Sequence, residues 1–242
     1  MSVYTPFGHF QTAAGGNFPT GFTFSSTVNI NAIDDQPNKL TGDGTNLYLL
    51  GNRNDNIYQL TYGGTLVAQQ SVISSTGYDG LSYDSTTGNF YVAKADNSSM
   101  YEASAWNGAY SQIFLFPTSG GSDIRNIIYV SDLGYFYALD IGNDQIREVN
   151  PTTGAYTGTN IDISSKSTNG RGLTWDGEKF WVQDISTDEV YTFNFSGYAG
   201  TTVSIAANAA VGVDFYYDPT QQQFFVTNYV NPKELVIYNA TF

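Results

Sequence analysis

One string of residues returns five times along this chain, and a repeat of that length constrains the fold more firmly than any local pattern. The clearest copy, GLTWDGEKFWVQDISTDEVYTFN at 172–194, aligns with DGLSYDSTTGNFYVAKADNSSMYEAS from Asp79 and with KLTGDGTNLYLLGNRNDNIYQL from Lys39. Two more divergent copies begin at Ile124 and Gly212. Matching aromatics at Tyr48, Tyr91, Tyr137, Trp181 and Phe225 stand 43, 46, 44 and 44 residues apart.

Within the 172–194 copy, Leu173 to Trp175, Phe180 to Val182 and Val190 to Phe193 are strand-length apolar runs, and Thr201 to Ala206 supplies a fourth strand. Asp176 and Gly177 between the first two are a hairpin signal, because glycine accepts positive φ and an aspartate side chain bonds its own turn. Asp55, Asp144 and Asp188 each fall two residues before the Ile or Val of a third strand, where a turn-capping carboxylate is expected. Four antiparallel strands repeating every 40–50 residues or so mark propeller blades. The expected fold is all-β: a five-bladed β-propeller with four-stranded antiparallel blades.

Only four residues follow Tyr238, too few for the last blade's fourth strand, while FTFSSTVNI from Phe22 precedes the first copy without a blade of its own. Residues 21–31 are therefore expected to complete the last blade, since an open ring leaves unpaired backbone groups at an edge. Residues 21–242 then form one propeller, preceded by an irregular arm at 1–20.

The string GLTWDGEKFWVQD, with its echoes at Gly80 and Leu40, resembles the blade consensus of bacterial and phage propellers of the broad NHL and YncE-like kind, over nearly the whole chain. The resemblance implies structural roles: Leu173 and Trp175 in the inner strand, Asp176 and Gly177 in the turn, Trp181 and Tyr191 between blades. It implies a fold and no activity.

The available side chains narrow the chemistry. A formal charge of -13, from 22 acidic and 9 basic residues without a basic run, makes nucleic acid an unexpected partner. There is no Cys, and the single His, His9, lies in the arm, so no thiolate, no His-based metal centre and no Ser-His-Asp triad is expected at the channel. No cofactor is expected. No stretch approaches the roughly 18 consecutive apolar residues of a membrane span, and the first twenty residues do not read as an export signal.

A propeller usually works where loops lead into its innermost strands. Alignment of the copies places Asn38, Asp79, Arg125, Arg171 and Val213 at one equivalent position there. Two arginines at one repeat position offer planar, bidentate donation to a carboxylate or a sugar. The alternative is an internal ion pair between Asp79 and Arg125 on neighbouring blades. Asp214, interrupting the apolar run GVDFYY, is a further channel-mouth candidate. With Asp79 and Asp123 it makes up the carboxylates from which a glycosidase pair, about 5–9.5 Å apart, would have to come. A carboxylate there also serves by accepting backbone N–H bonds. Tyr78, Trp106, Tyr110 and Tyr229 lie outside the repeat's packing positions and are candidate loop aromatics for stacking on a sugar, with packing between blades as the alternative use.

No catalytic residue is assigned, and the expectation is a non-catalytic structural or binding protein. An acidic, Cys-free composition rich in Ser, Thr, Asn, Gly and Tyr reads as that of a tailed-phage virion component, whether capsid decoration, tail or fibre. It would dock on other virion proteins through the arm and meet host-surface glycan. A lectin-like propeller with a single site near Trp106 and Asn107, extracellular or at the cell surface by a non-classical route, is the alternative. A glycoside hydrolase is the third reading.

Overall fold

The computed structural model describes residues 18–34, 36–52, 54–73, 77–94, 98–117, 123–209, 212–229 and 232–242. Most of the expected arm, including His9, lies outside the described residues.

Strand β1 (Gly21–Asn29) precedes the blades. Blade 1 contains β2 (Pro37–Gly42), β3 (Leu47–Gly51), β4 (Asn56–Leu60) and β5 (Leu66–Ser71), hydrogen-bonded in that order. Blade 2 repeats the plan with β6 (Tyr78–Tyr83), β7 (Phe90–Lys94), β8 (Ser99–Ala103) and β9 (Ser111–Leu115). Blade 3 has β10 (Ile124–Val130), β11 (Tyr135–Asp140), β12 (Gln145–Val149) and β13 (Tyr156–Asp162). Blade 4 has β14 (Gly170–Trp175), β15 (Phe180–Asp184), β16 (Glu189–Asn194) and β17 (Gly197–Ser204). A one-turn helix, α1 (Ala206–Ala209), leads to blade 5, built from β18 (Gly212–Asp218), β19 (Gln223–Asn228) and β20 (Glu234–Thr241). β1 runs antiparallel to β20, from Gly21 opposite Thr241 to Asn29 opposite Glu234, and is the fourth strand of blade 5. The ring is thus closed from the N-terminal side, as the leftover strand in the sequence requires.

Burial follows position in the blade. The second strands are buried on both faces, whereas β5, β13 and β1 at the rim are mostly exposed. Five buried clusters sit one between each pair of neighbouring blades. The matched aromatics of the repeat anchor them: Tyr48 meets Phe90 edge to face at 4.8 Å, and Trp181 meets Phe224 at 5.0 Å. Phe22 of the closing strand lies 4.9 Å from Tyr238, 5.0 Å from Phe224 and 6.1 Å from Trp181, so packing as well as the ladder holds it.

In blades 1 and 4 the Asp of the first turn and the matched aromatic form one unit. Asp176 Oδ1 accepts the Glu178 and Lys179 amides, each at 2.8 Å, while its Oδ2 accepts the Trp181 indole N–H at 2.6 Å. Asp43 does the same with the Thr45 and Asn46 amides and the Tyr48 hydroxyl. The second turns work differently from the expectation. Asp55, Asp144 and Asp188 adopt φ of 50°, 50° and 53°, with Ser98 at 53° in blade 2. Their carbonyls accept the amides of Val72, Ile163, Ile205 and Phe116 just beyond the fourth strands. Aspartate is useful here because it tolerates left-handed backbone. The capping carboxylate is Asp184 in blade 4, accepting the Ser186 and Thr187 amides, and Asp140 in blade 3, accepting Gly142.

Candidate functional site

Every innermost strand slips register once: between Pro37 and Lys39, Tyr78 and Gly80, Ile124 and Asn126, Gly170 and Gly172, and Gly212 and Asp214. The residues removed from the ladder are Asn38, Asp79, Arg125, Arg171 and Val213, the five that alignment of the repeat brings together. A β-bulge re-aims a side chain and interrupts regular pairing. Five equivalent bulges therefore set these side chains at one end of the axial channel.

The next residue of each strand forms the floor of that end. Lys39, Asn126 and Asp214 are buried there, and blades 2 and 4 carry Gly80 and Gly172 instead. A Cβ on Gly80 would stand 2.4 Å from the Ile127 carbonyl oxygen, and one on Gly172 would stand 2.6 Å from Phe215 N. Glycine is required at both because the neighbouring inner strand presses against it.

Three polar side chains lace this floor together. Lys39 Nζ donates to the Arg125 carbonyl at 2.6 Å and the Arg171 carbonyl at 3.4 Å. Asn126 Nδ2 donates to Asp214 Oδ1 at 2.6 Å and the Arg171 carbonyl at 3.3 Å. Asp214 Oδ2 accepts the Leu40 amide at 2.6 Å. Burial pushes the Asp214 carboxyl up to about 6, against the opposing pull of Lys39 and these donors. Burial also lowers Lys39, with the charge of Asp214 acting the other way.

Asp214 therefore sits below the mouth, and its two oxygens are engaged by blades 1 and 3. The internal ion pair between Asp79 and Arg125 is not formed either. Arg125 turns instead to Asp123, two residues away in sequence, at 2.6 Å. The nearer carboxylate wins because the same short segment presents both groups. Asn38 donates its side-chain amide to the Tyr78 carbonyl at 2.8 Å, bracing blade 1 against blade 2.

That leaves Asp79 and Arg171, on blades 2 and 4. Among the described residues neither side chain makes a hydrogen bond or an ion pair, and Arg171 Nε is buried without a partner. Burial raises Asp79 to about 6, opposed by Lys39, Arg125 and Arg171. Burial first, and Arg125 next, lower Arg171, opposed by Asp123 and Asp79. A guanidinium nevertheless stays charged. Lys39, Arg125 and Arg171 are three of the chain's 9 cations, so one end of the channel gathers a third of its positive charge.

The loop aromatics are placed differently from one another. Tyr78 is buried between blades 1 and 2, its hydroxyl donating to the Ile73 carbonyl and to Asp55, because it opens β6 and is no loop residue. Trp106 and Tyr110 are half-buried against the same cluster, with Trp106 5.8 Å from Tyr48 and the Tyr110 hydroxyl donating to the Trp106 carbonyl at 3.1 Å. Tyr229 is 42% exposed, with Lys233 Nζ 4.5 Å from its ring centre. Sequence reasoning passed over Lys39 and Asn126. The signal was their alignment with Asp214, one residue after each bulge.

The opposite end of the channel opens into a cavity of about 230 Å³ bordered by Tyr83, Tyr129, Trp175 and Tyr216. Its hydroxyls brace blades: Ser82 accepts the Tyr129 amide at 2.8 Å and Thr174 the Tyr217 amide at 3.1 Å. Among the described residues no group of three His, Cys, Asp or Glu is placed to hold a metal ion.

No protein-family model and no curated protein matches this chain. Solved structures do. A glutaminyl cyclase from Myxococcus xanthus is similar with a TM-score of 0.70 at 12% identity, over 91% of this chain and 97% of that one. A protein of unknown function from Bacteroides thetaiotaomicron reaches 0.60 at 15% identity, over 84% of this chain and 58% of that one. Virginiamycin B lyase from Staphylococcus aureus reaches 0.50 at 11% identity, over 85% of this chain and 66% of that one. At such identities the likeness extends to the fold alone.

Proposed function

We propose that this chain is a non-catalytic binding module that receives its ligand at the charged end of the channel. The supporting observation is the contrast between floor and mouth: Lys39, Asn126 and Asp214 are bonded to one another's strands, while Asp79 and Arg171 stand above them without partners. A hydrolase built on Asp214 fits poorly, because donors already occupy both of its oxygens. A sugar-stacking platform fits poorly too, since Tyr78, Trp106 and Tyr110 are packed into the boundary between blades 1 and 2.

The setting we propose is the one read from composition, a component of a tailed-phage particle. Recovery of the chain in fixed stoichiometry with purified native particles supports that setting, and its recovery only as a free monomer contradicts it. The binding reading is tested separately by thermal-shift screening of the full chain against free amino acids, monocarboxylates and monosaccharides. At least one class is expected to raise the melting temperature of the wild type but not of Arg171→Gln. Silence across the panel, or an equal shift in the variant, contradicts the reading.

A further inference from the structure

Asp79 and Arg171 carry opposite charges and lie within electrostatic reach of each other, yet no ion pair joins them. The groups that would otherwise satisfy them are engaged elsewhere: Arg125 is held by Asp123, and Lys39 by the carbonyls of Arg125 and Arg171. Bulges in β6 and β14, on blades separated by blade 3, present the two residues at the same level of the channel.

A simple anion would satisfy Arg171 but face the carboxylate of Asp79. A simple cation would satisfy Asp79 but face two guanidinium groups. A neutral sugar would leave both half-buried charges without a countercharge, which is costly away from bulk water. A guanidinium offers a planar fork that matches a carboxylate, and a carboxylate accepts well from an ammonium group.

Resting on the binding reading above, we infer that Asp79 and Arg171 together receive a compact zwitterion, an α-amino acid whose ammonium group meets Asp79 and whose carboxylate meets Arg171. Asn38 and Arg125, fixed by Tyr78 and Asp123, frame the site and leave its two free charges to the ligand. Val213, at the fifth bulge, offers an aliphatic wall to the ligand's own side chain.

Calorimetric titration of the full chain near neutral pH, with L-alanine, acetate and methylammonium as probes, tests this. Alanine is expected to bind about tenfold or more tightly than either single-charge probe, and both Asp79→Asn and Arg171→Gln are expected to weaken alanine by a similar factor. If a variant fails to fold, the three-probe comparison on the wild type decides alone. Acetate binding as tightly as alanine, or alanine binding undiminished in Asp79→Asn, overturns the zwitterion and leaves a plain anion site, with the binding reading intact. Absence of alanine binding also overturns it. The wider reading falls if the monocarboxylates and monosaccharides are silent as well, or if their shifts persist in Arg171→Gln.

Discussion

Asn126 donates its side-chain amide to the carboxylate of Asp214 at 2.6 Å, joining blade 3 to blade 5 across the propeller axis. The same carboxylate holds the Leu40 amide of blade 1, and Lys39 of blade 1 reaches the backbones of blades 3 and 4. The floor thus ties together inner strands that share no sheet, and it supports the bulged residues directly above it.

Asp214→Asn keeps the shape of this floor but sets an amide against donors and removes the countercharge of Lys39. Breaking one side of a buried charged arrangement costs roughly 3–5 kcal/mol. Urea unfolding should show a loss of that order, and a loss below about 1 kcal/mol would mean that the floor contributes little to stability.

Asp79 and Asp214 are both raised from 3.8 to about 6, which fixes the sign of a pH effect. The unfolded carboxyls ionise near 3.8, whereas the folded ones hold their protons to about 6, so in that window the native state binds more protons. Their stabilising contribution is complete below the lower value and is lost as pH rises through the upper one. Asp84 and Asp184, lowered by bonds to Thr87 and Ser167 that outweigh burial, act in the opposite sense. The comparison must therefore be between wild type and the Asp79→Asn, Asp214→Asn double variant. From about pH 4 to 6 the wild type should lose stability relative to the variant, and parallel curves would contradict the assignment.

The same titration should reach the ligand site. Protonation of Asp79 removes the negative charge that receives an ammonium group, while Lys39, Arg125, Asp123 and Arg171 are the other charged groups acting on it. Alanine affinity should fall as pH drops below about 6. An affinity that rises on acidification would count against Asp79 as the ammonium acceptor.

Left-handed backbone at the second turns makes a local prediction. Ser98, at φ 53°, pays a steric penalty that glycine does not, so Ser98→Gly should stabilise by about 0.5–1 kcal/mol. Asp188→Val, at the same backbone angle, should destabilise by about 1–2 kcal/mol. Thermal melting of both variants checks the pair, and the two changes should have opposite signs.

Closure makes another. Phe22→Ala removes a ring that touches Trp181, Phe215, Phe224 and Tyr238, and should cost about 3–5 kcal/mol. Deleting residues 1–20 should leave the ring folded, whereas deleting 1–30 strips blade 5 of its fourth strand. Equal melting of the two truncations would contradict the role of β1 in closure.

The ring was legible because its signals repeat. Spacing of Tyr48, Tyr91, Tyr137, Trp181 and Phe225 counts the blades, and the strand at Phe22 without a blade points to closure. The bulged positions were legible for the same reason, since alignment finds equivalence without knowing geometry. Depth was not. Asp214 and Arg171 are one position out of step in the repeat, and one residue along a strand separates a buried brace from an open mouth. Trp106 and Tyr110 fall in a non-repeating segment, where no periodicity reveals that they pack on Tyr48 and its neighbours.

The most direct measurement is a ¹H–¹⁵N spectrum of the full chain titrated with glycine. Shifts are expected to concentrate at the amides around Asn38, Asp79, Arg125 and Arg171, with none around Trp175 and Tyr216 at the other end of the channel. Shifts confined to the Trp175 end, or a spectrum unchanged at saturating glycine, would contradict the zwitterion site.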